Sequence, residues 1–463
     1  MNISIRITEA HYDQLTKHLH PGDGKEAVAF ALCGRATFKG NHKLLVNEII
    51  PVPYDACSVR KADQVTWNSN VIQPVLEKAK RDGFGIIKFH SHPTGYEHFS
   101  ETDDLSDRAL FPKIYSWLDS DNPNVSAIVL GNGAVIGRVV GRTGKFFPLD
   151  SFWKIGHEFN DLLHHDIPSP EGVPKFSKRI SQTFGEKTFN QLKNLKVGVI
   201  GCSGTGSQVI EQLVRNGVGN LVLVDPKTAN DGNLNRITNS KYEDVAAEKP
   251  KVYMLEDAIK KIGIGTVVEA YNKDLFNPEV VRALSVCDVI FGCMDSVDGR
   301  HLLNKLATFY LLPYFDLGVK LVADGQGGIS TACMQCHYIQ PGKSSLFSRK
   351  VYTLKQLEAA SLYRTDPQAY EAQRKVGYID GVNIDRPAVI TVNALISSYA
   401  VDSFLSRVHS YKRVNNKDMA LITVSLTDML LLKSGETEPC DMFINYVGLG
   451  DVTPLLNSPE LSE

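Results

Sequence analysis

Short apolar runs alternate with helix-patterned stretches along the chain, and the style of alternation changes near residue 150. Before that point, LLVNEIIPVP (44–53) and GFGIIKFHSHP (83–93) have the dense apolar residues and terminal turn residues of strands. VIQPVLEKAKRDG (71–83) carries apolar residues at helical spacing and stops on Gly83. VSAIVLGNGAVIGRVV (125–140) reads as two strands about a Gly-Asn-Gly turn. An α+β domain over residues 1–148 is expected.

A connector over 149–178 follows, marked by HHDIPSPEGVPKFSK, rich in Pro, His and small polar residues. The second half is α/β in style. KVGVIGCSGTG (196–206) is a short strand running into a glycine turn, SQVIEQLVRNGVG (207–219) an amphipathic helix and NLVLVD (220–225) the next strand. That is a βαβ unit, which implies a Rossmann-like parallel sheet. A helix over 252–262, a strand over 267–275 and a strand over 287–295 ending in an acid continue it. The polar segment 341–380 has weak periodicity, and PAVITVNALISSYAVDSFLSRV (387–408) reads as a long buried helix. The expected second domain spans 179–435, with a tail over 436–463 whose pattern gives no element.

Composition narrows the class. The chain has 463 residues, 43% apolar and 22% charged, with a formal net charge of −2. These are globular values that exclude a disordered or fibrous chain, and no bulk basic field exists to hold nucleic acid or an anionic membrane. No apolar run reaches the ~18 residues of a membrane span. The start lacks the basic-then-apolar pattern of a signal peptide. Eight cysteines are scattered too widely for a disulfide framework. A reduced, cytoplasmic protein is expected.

His90-Ser91-His92-Pro93 is followed, after six residues, by Ser100-Glu101-Thr102-Asp103. Histidines at i and i+2 on a strand point to one side. Asp103, on the first turn of the next helix, could complete three ligands of a zinc ion that keeps a fourth position for water. Ser100-x-x-Asp103 equally fits a helix N-cap without metal, and strand-end histidines are often just solvated. The full string HSHPTGYEHFSETD fits H-x-H-P-x(6)-S-x-x-D and so resembles the JAMM/MPN+ metalloproteases, as do KEAVAFALCG (25–34) and NEIIPVPYD (47–55). The resemblance implies zinc on His90, His92 and Asp103, Ser100 as oxyanion stabiliser and Glu26 as general acid/base. It also implies cleavage of peptide or isopeptide bonds after the C-terminal tail of a ubiquitin-like protein.

In the second half, Gly201, Gly204 and Gly206 lie between strand and helix, where backbone can approach a phosphate. Asp225 comes 24 residues after Gly201, a spacing that suits an acid on a ribose. Asn233, Arg236, Lys251 and Asp295 follow in order. Basic residues after the second strand suit a polyphosphate better than a dinucleotide, and Asp295 at a strand end could hold magnesium. Singly, Arg236 and Lys251 also read as solvated charges and Asp295 as a helix cap. From about 176 to 410 the chain resembles the ThiF/MoeB/HesA adenylating domains of ubiquitin-activating enzymes. The resemblance implies that Asp225, Asn233, Arg236, Lys251 and Asp295 hold ATP and Mg²⁺. It also implies that Arg179 reaches the partner's nucleotide in a homodimer. Ser203, Lys227 and Gly232 depart from the residues usual there.

Cys333-Met334-Gln335-Cys336 is left over. With Cys440 alone remaining downstream, a four-cysteine zinc site cannot form, and the choice lies between buried structural cysteines and a thioester-forming thiol at Cys333 or Cys336. The two resemblances together imply a bifunctional enzyme of the prokaryotic ubiquitin-like conjugation type. Its partners would be a ubiquitin-like protein and a conjugating enzyme. Sulfur-carrier adenylation for thiocarboxylate chemistry, with a carrier-processing protease, is the alternative, and a non-catalytic scaffold for ubiquitin-like tails is the third reading.

Overall fold

A computed structural model of the chain describes residues 1–164, 174–375 and 387–462. It divides into two compact units, the first made of Met1–Ser169 with Phe309–Leu311 and Val447–Thr453, the second of the remainder.

The first unit contains strands β1 (Asn2–Thr8), β2 (Val28–Phe38), β3 (Asn41–Pro51), β4 (Cys57–Arg60), β5 (Val65–Trp67) and β6 (Gly85–His92). Further along are β7 (Asn124–Leu130), β8 (Val135–Val140), β9 (Phe146–Pro148), β10 (Ser151–Ile155) and β11 (Phe159–Asp161). Its helices are α1 (Glu9–Leu19), α2 (Gln73–Asp82) and α3 (Glu101–Leu118). Nine strands form one mixed sheet in the order β11-β10-β1-β3-β2-β6-β7-β8-β9, and β4-β5 is a separate hairpin. Both faces of the sheet are covered. Ala29, Ala31 and Cys33 of β2 join a core with Leu15 and Leu19 of α1, while Val28, Phe30 and Leu32 join another with Val75 of α2 and Phe111 of α3. Burial on both sides is why β2 is an unbroken apolar run rather than an alternating one.

The helix stop at Gly83 is real: the residue caps α2 with φ 70°, left-handed backbone that glycine adopts without strain. The expected domain end at 148 falls short, because β10 pairs in parallel with β1 and carries the sheet on to residue 161. Two short strands split by Gly156-His157-Glu158 give too little alternation to be seen in the sequence. The middle of the expected connector, 165–173, lies outside the described residues. The tail also contributes here. The Gly34 amide donates to the Gly448 carbonyl at 3.2 Å and the Asp451 amide to the Arg35 carbonyl at 2.6 Å. A Cβ on Gly34 would lie 2.2 Å from the Gly448 oxygen and one on Gly448 2.7 Å from the Val46 oxygen, so the tail backbone lies against β2 and β3 only because both positions lack side chains.

The second unit has strands β12 (Lys196–Ile200), β13 (Asn220–Val224), β14 (Val267–Tyr271), β15 (Val289–Gly292), β16 (Tyr314–Ala323), β17 (Ile329–Ile339), β18 (Leu421–Ser425) and β19 (Leu430–Ser434). They form one sheet, β14-β13-β12-β15-β16-β17-β18-β19, parallel up to β16 and antiparallel beyond. Its helices are α4 (Lys178–Asn194), α5 (Gly204–Arg215), α6 (Tyr242–Ala246), α7 (Lys251–Ile262), α8 (Pro278–Ser285), α9 (Val297–Phe309), α10 (Leu354–Thr365), α11 (Pro367–Lys375) and α12 (Ile390–Val408). After β12 the chain moves one way to β13 and β14, then returns to the other side for β15 and β16. The crevice between β12 and β15 is therefore the topological switch point where open α/β sheets bind ligands. The weakly periodic segment 341–380 holds α10 and α11, while 376–380 lies outside the described residues.

Tyr115 ties α3 to the first sheet: its hydroxyl donates to the Val140 carbonyl at 2.8 Å and accepts from the Asn124 amide at 3.1 Å. Tyr115→Phe strands two buried backbone groups and should cost about 1–3 kcal/mol, read as a lower melting temperature of the first unit.

Candidate functional site

The first cluster grows out of β6. Ile87 and Phe89 face the α1 core, whereas Lys88, His90 and His92 alternate onto the other face. Antiparallel pairing of β2 with β6 sets Val28 opposite His90, which brings Glu26, two residues earlier, level with His92. Ser91 locks this alignment: the Ala27 amide donates to the Ser91 hydroxyl at 3.0 Å and the Ser91 amide to the Ala27 carbonyl at 3.1 Å.

Asp103 arrives from α3. Ser100 is the N-cap, and the capping box is complete: the Asp103 amide donates to the Ser100 hydroxyl at 3.2 Å and the Ser100 amide to Asp103 Oδ2 at 2.8 Å. The capping expectation holds, and the same carboxylate also faces the histidines. Oδ1 is 3.0 Å from His90 Nε2, Oδ2 is 3.5 Å from His92 Nε2, and the two Nε2 atoms are 3.2 Å apart. Ligand atoms of His90, His92 and Asp103 all lie within 4.8 Å of one another, and among the described residues no other cluster of at least three such side chains does so. Glu26 Oε1 is 3.8 Å from His92 Nε2.

The donor set suits zinc. His92 Nδ1 is 2.8 Å from the Tyr96 carbonyl, an acceptor only, so Nδ1 carries the hydrogen and Nε2 turns its lone pair to the cluster. Burial keeps His90 below its ordinary pKa, in the neutral form that binds metal. Burial would lower His92 too, but Asp103, the Tyr96 carbonyl and Glu26 outweigh it and raise it. Burial would raise Asp103, yet its bonds to His90, His92 and Ser100 hold it far below the carboxylate range. Glu26, buried beside Asp103 and Asp63, is pushed up to about 7, the range of a general base at neutral pH.

The second cluster sits at the switch point, at the C-terminal ends of β12, β13 and β15. Gly201 has φ 91°, and a Cβ there would lie 2.6 Å from the Cys293 carbonyl. A Cβ on Gly206 would lie 1.8 Å from the Gly201 oxygen, and one on Gly204 would lie 2.2 Å from Asn393 Nδ2 of α12. The three glycines thus let the turn close against β15 and let α12 close against α5. Ser203 does not cap α5 with its side chain. Asp225 is buried, accepting from the Cys202 and Lys227 amides at 2.8 Å each, so it fastens the glycine turn to the end of β13. Lys251 is buried near it: burial lowers its pKa and Asp225 opposes that. Asn233 is buried in a short turn whose cap it completes. Arg236 bonds back to Gly232, and Asp295 is exposed just past β15. Arg179 is exposed on the first turn of α4.

The two leftover cysteines separate. On a strand, i and i+3 face opposite sides. Cys333 is half-exposed, while Cys336 is buried, its thiol pushed up to about 12 by burial and Asp316. Such a thiol is the reverse of an activated nucleophile. Sequence reasoning also missed Asn393, the buried Arg300–Asp316 pair (3.1 Å) behind Asp295, and the charges around Lys88. The one signal for the last was a lysine inside the apolar strand GIIKFHSH.

The chain belongs to the ThiF family, whose model matches residues 176–437, more than half its length. The model of prokaryotic homologs of the JAB domain matches residues 8–142, so a JAB-type unit precedes a ThiF-type one. Among curated relatives, the adenylyltransferase and sulfurtransferase UBA4 of Candida albicans is 31% identical over 43% of this chain and 44% of its own. The molybdopterin-synthase adenylyltransferase of Escherichia coli is 32% identical over 24% of this chain and 45% of its own. SUMO-activating enzyme subunit 2 of Dictyostelium discoideum is 23% identical over 41% and 27%. The chain thus spans less than half the length of each of these relatives. A solved structure of the microcin C7 biosynthetic enzyme MccB with N-formylated MccA is 14% identical over 89% of this chain and 98% of its own, with a TM-score of 0.45. No helix among the described residues is long and apolar enough to cross a membrane.

Two predictions follow from this geometry. Gly206→Ala forces a methyl into the Gly201 carbonyl and should destabilise the second unit by about 1–3 kcal/mol and weaken ATP binding, read by melting and by nucleotide titration. In zinc-free protein the folded state keeps the Glu26 proton between pH 4.5 and about 7, where the unfolded chain releases it. Its contribution to stability is complete below about 4.5 and fades as pH rises through 7. Melting temperatures across pH 4–8 should therefore fall more steeply with pH in the wild type than in Glu26→Gln.

Proposed function

We propose that this chain is a bifunctional enzyme acting on a ubiquitin-like protein, with a zinc peptidase in the first unit and an ATP-dependent adenylyltransferase in the second. The observation that carries the reading is the convergence of His90, His92 and Asp103 beside Glu26, in a chain whose other unit is of the ThiF family.

His90, His92 and Asp103 would hold zinc, which supplies a Lewis acid and brings a water's pKa near neutrality. Glu26 takes a proton from the attacking water and delivers it to the amine as the C–N bond breaks. The Ser100 hydroxyl, which donates to Asp103 Oδ2 at 2.7 Å beside the cluster, would stabilise the developing oxyanion. The substrate bond follows the terminal glycine of the ubiquitin-like protein, in an isopeptide conjugate or a precursor.

In the second unit the glycine turn and the N-terminus of α5 take the phosphates of ATP, with Arg236 and Lys251 neutralising their charge, Asn233 beside them and Asp295 holding Mg²⁺. Asp225 receives the ribose. The carrier's terminal carboxylate attacks the α-phosphorus, the bond to the β-phosphate oxygen breaks, and pyrophosphate leaves. Arg179, exposed on α4, would reach the partner's nucleotide in a homodimer. Cys333, half-exposed on β17, is the thiol position left for a thioester, and a conjugating enzyme is the partner that would receive the acyl group. The sulfur-carrier alternative is favoured by the sulfurtransferase and molybdopterin-synthase relatives, the conjugation reading by the SUMO-activating one.

The test uses purified protein and a glycine-ended ubiquitin-like protein. His92→Ala should lose zinc and peptidase activity and keep ATP–pyrophosphate exchange. Glu26→Gln should keep zinc and lose hydrolysis by about 10²–10⁴-fold. Asp295→Ala should abolish exchange and keep peptidase activity. In the Glu26→Gln background, Cys333→Ala should remove a reductant-sensitive adduct without touching exchange. Equal zinc in wild type and His92→Ala, or undiminished exchange in Asp295→Ala, would move the respective site elsewhere.

A further inference from the structure

Behind the His90–Asp103 contact lies a buried charge cluster that no step above uses. Lys88, on the same face of β6 as His90, puts Nζ 2.7 Å from Asp107 Oδ1. Asp107 is fully buried and Lys88 nearly so, at 0% and 4% exposure. Arg138 of β8 closes the cluster, with Nη2 2.6 Å and Nε 3.1 Å from Asp107 Oδ2 and Nη1 2.5 Å from Asp104 Oδ1. Its guanidinium lies between the rings of Phe99 and Phe146, at 3.6 and 3.7 Å from their centroids. Lys88 and Arg138 thus face Asp107 and Asp104, with Arg108 adding a contact to Asp104 at 3.3 Å on the exposed side.

The geometry makes this cluster the second rung of a ladder. Two residues of strand advance about 6.6 Å, and four residues of helix about 6.0 Å. Stepping from Lys88 to His90 on β6 therefore matches stepping back from Asp107 to Asp103 on α3. With Lys88–Asp107 fixed, Asp103 can arrive only beside His90. Arg138 fixes the same end of α3 from the other strand, through Asp104 and through Phe99, the residue before Ser100. We propose that Lys88, Asp107 and Arg138 are positioning residues that set the longitudinal register of α3 on β6, and so where Asp103 meets His90 and His92. This rests on the metal reading above.

The expected effect follows from what buried ion clusters do. Replacing all members by apolar residues of similar size often leaves stability unchanged or raised, because the desolvation cost goes with the attraction. Directional hold is lost, and losing partners that orient metal ligands typically costs 10–100-fold in metal affinity. The experiment takes the full chain with Lys88→Met, Asp107→Leu and Arg138→Met combined, which replaces the buried members and leaves Asp104, 30% exposed, with Arg108 at 3.3 Å. It measures zinc-free melting, zinc affinity by competition with a chromophoric chelator, and the visible absorption of the Co²⁺ form. Expected are melting within a few degrees of wild type, a ten- to hundredfold loss of zinc affinity and an altered Co²⁺ spectrum. Phe111→Ala, which removes core from α3 without touching the cluster, should lower melting and leave the zinc affinity of folded protein unchanged. Should the triple variant not fold, Asp107→Asn, which is expected to melt lower because Lys88 and Arg138 lose their shared carboxylate, is read by its zinc affinity and Co²⁺ spectrum alone. Zinc affinity within twofold of wild type in a folded variant overturns the proposal. If wild type and His92→Ala bind zinc alike, the metal reading fails first and takes the proposal with it.

Discussion

Strand β6 has one face that must be dry and one that carries a lysine and two histidines, and much of the first unit answers that constraint. Ile87 and Phe89 are satisfied by the α1 core, as in any two-layered sheet. Lys88, His90 and His92 need acid and acceptors at burial depth, because unpaired charge there would cost several kcal/mol. The four-acid start of α3 supplies them: Asp103, Asp104 and Asp107 from three positions of its first two turns, with Glu101 left outside. Glu26, just ahead of the neighbouring strand, is brought level with His92 by the β2–β6 register and the Ser91 lock, and its amide donates to the Lys61 carbonyl at 2.8 Å. The site is thus the polar half of a core, assembled by the same alternation and helical period that pack the apolar half.

The second unit rests on a different economy, that of absent side chains. Gly201, Gly204 and Gly206 allow a turn, a strand end and two helices to meet at distances that no Cβ could share. Asp225 then fastens the turn through backbone amides rather than through another side chain. Both devices leave the N-terminal end of α5 facing the switch-point crevice.

What was legible in the sequence was what is local. The His-x-His spacing, the cap at Ser100, the glycine turn and the helix stop at Gly83 each lie within a dozen residues, where strand and helix periods act directly. Long-range pairings were not legible. Lys88 and Arg138 find Asp107 across 19 and 31 residues, separations that no strand or helix period reports. Gly448 answers Gly34 across more than 400 residues, so the tail had no pattern of its own. Helices α10 and α11 bury mainly Ala359, Ala360 and Tyr370, too little apolar contrast for a helical period to stand out. The Cys-x-x-Cys spacing left a choice open for a physical reason: which thiol is buried depends on the backbone, and on β17 the two part to opposite faces.

The double use of Asp103 has a kinetic side. A carboxylate on a free N-terminal turn would sample its rotamers, and an arriving ion would have to wait for, and entropically fund, the one that fits. Here the cap already holds Oδ2 against the Ser100 amide, so that freedom is surrendered when the chain folds. On the proposed zinc reading the carboxylate would stand in place before an ion arrived, and capture would require little reorganisation of the helix that provides it.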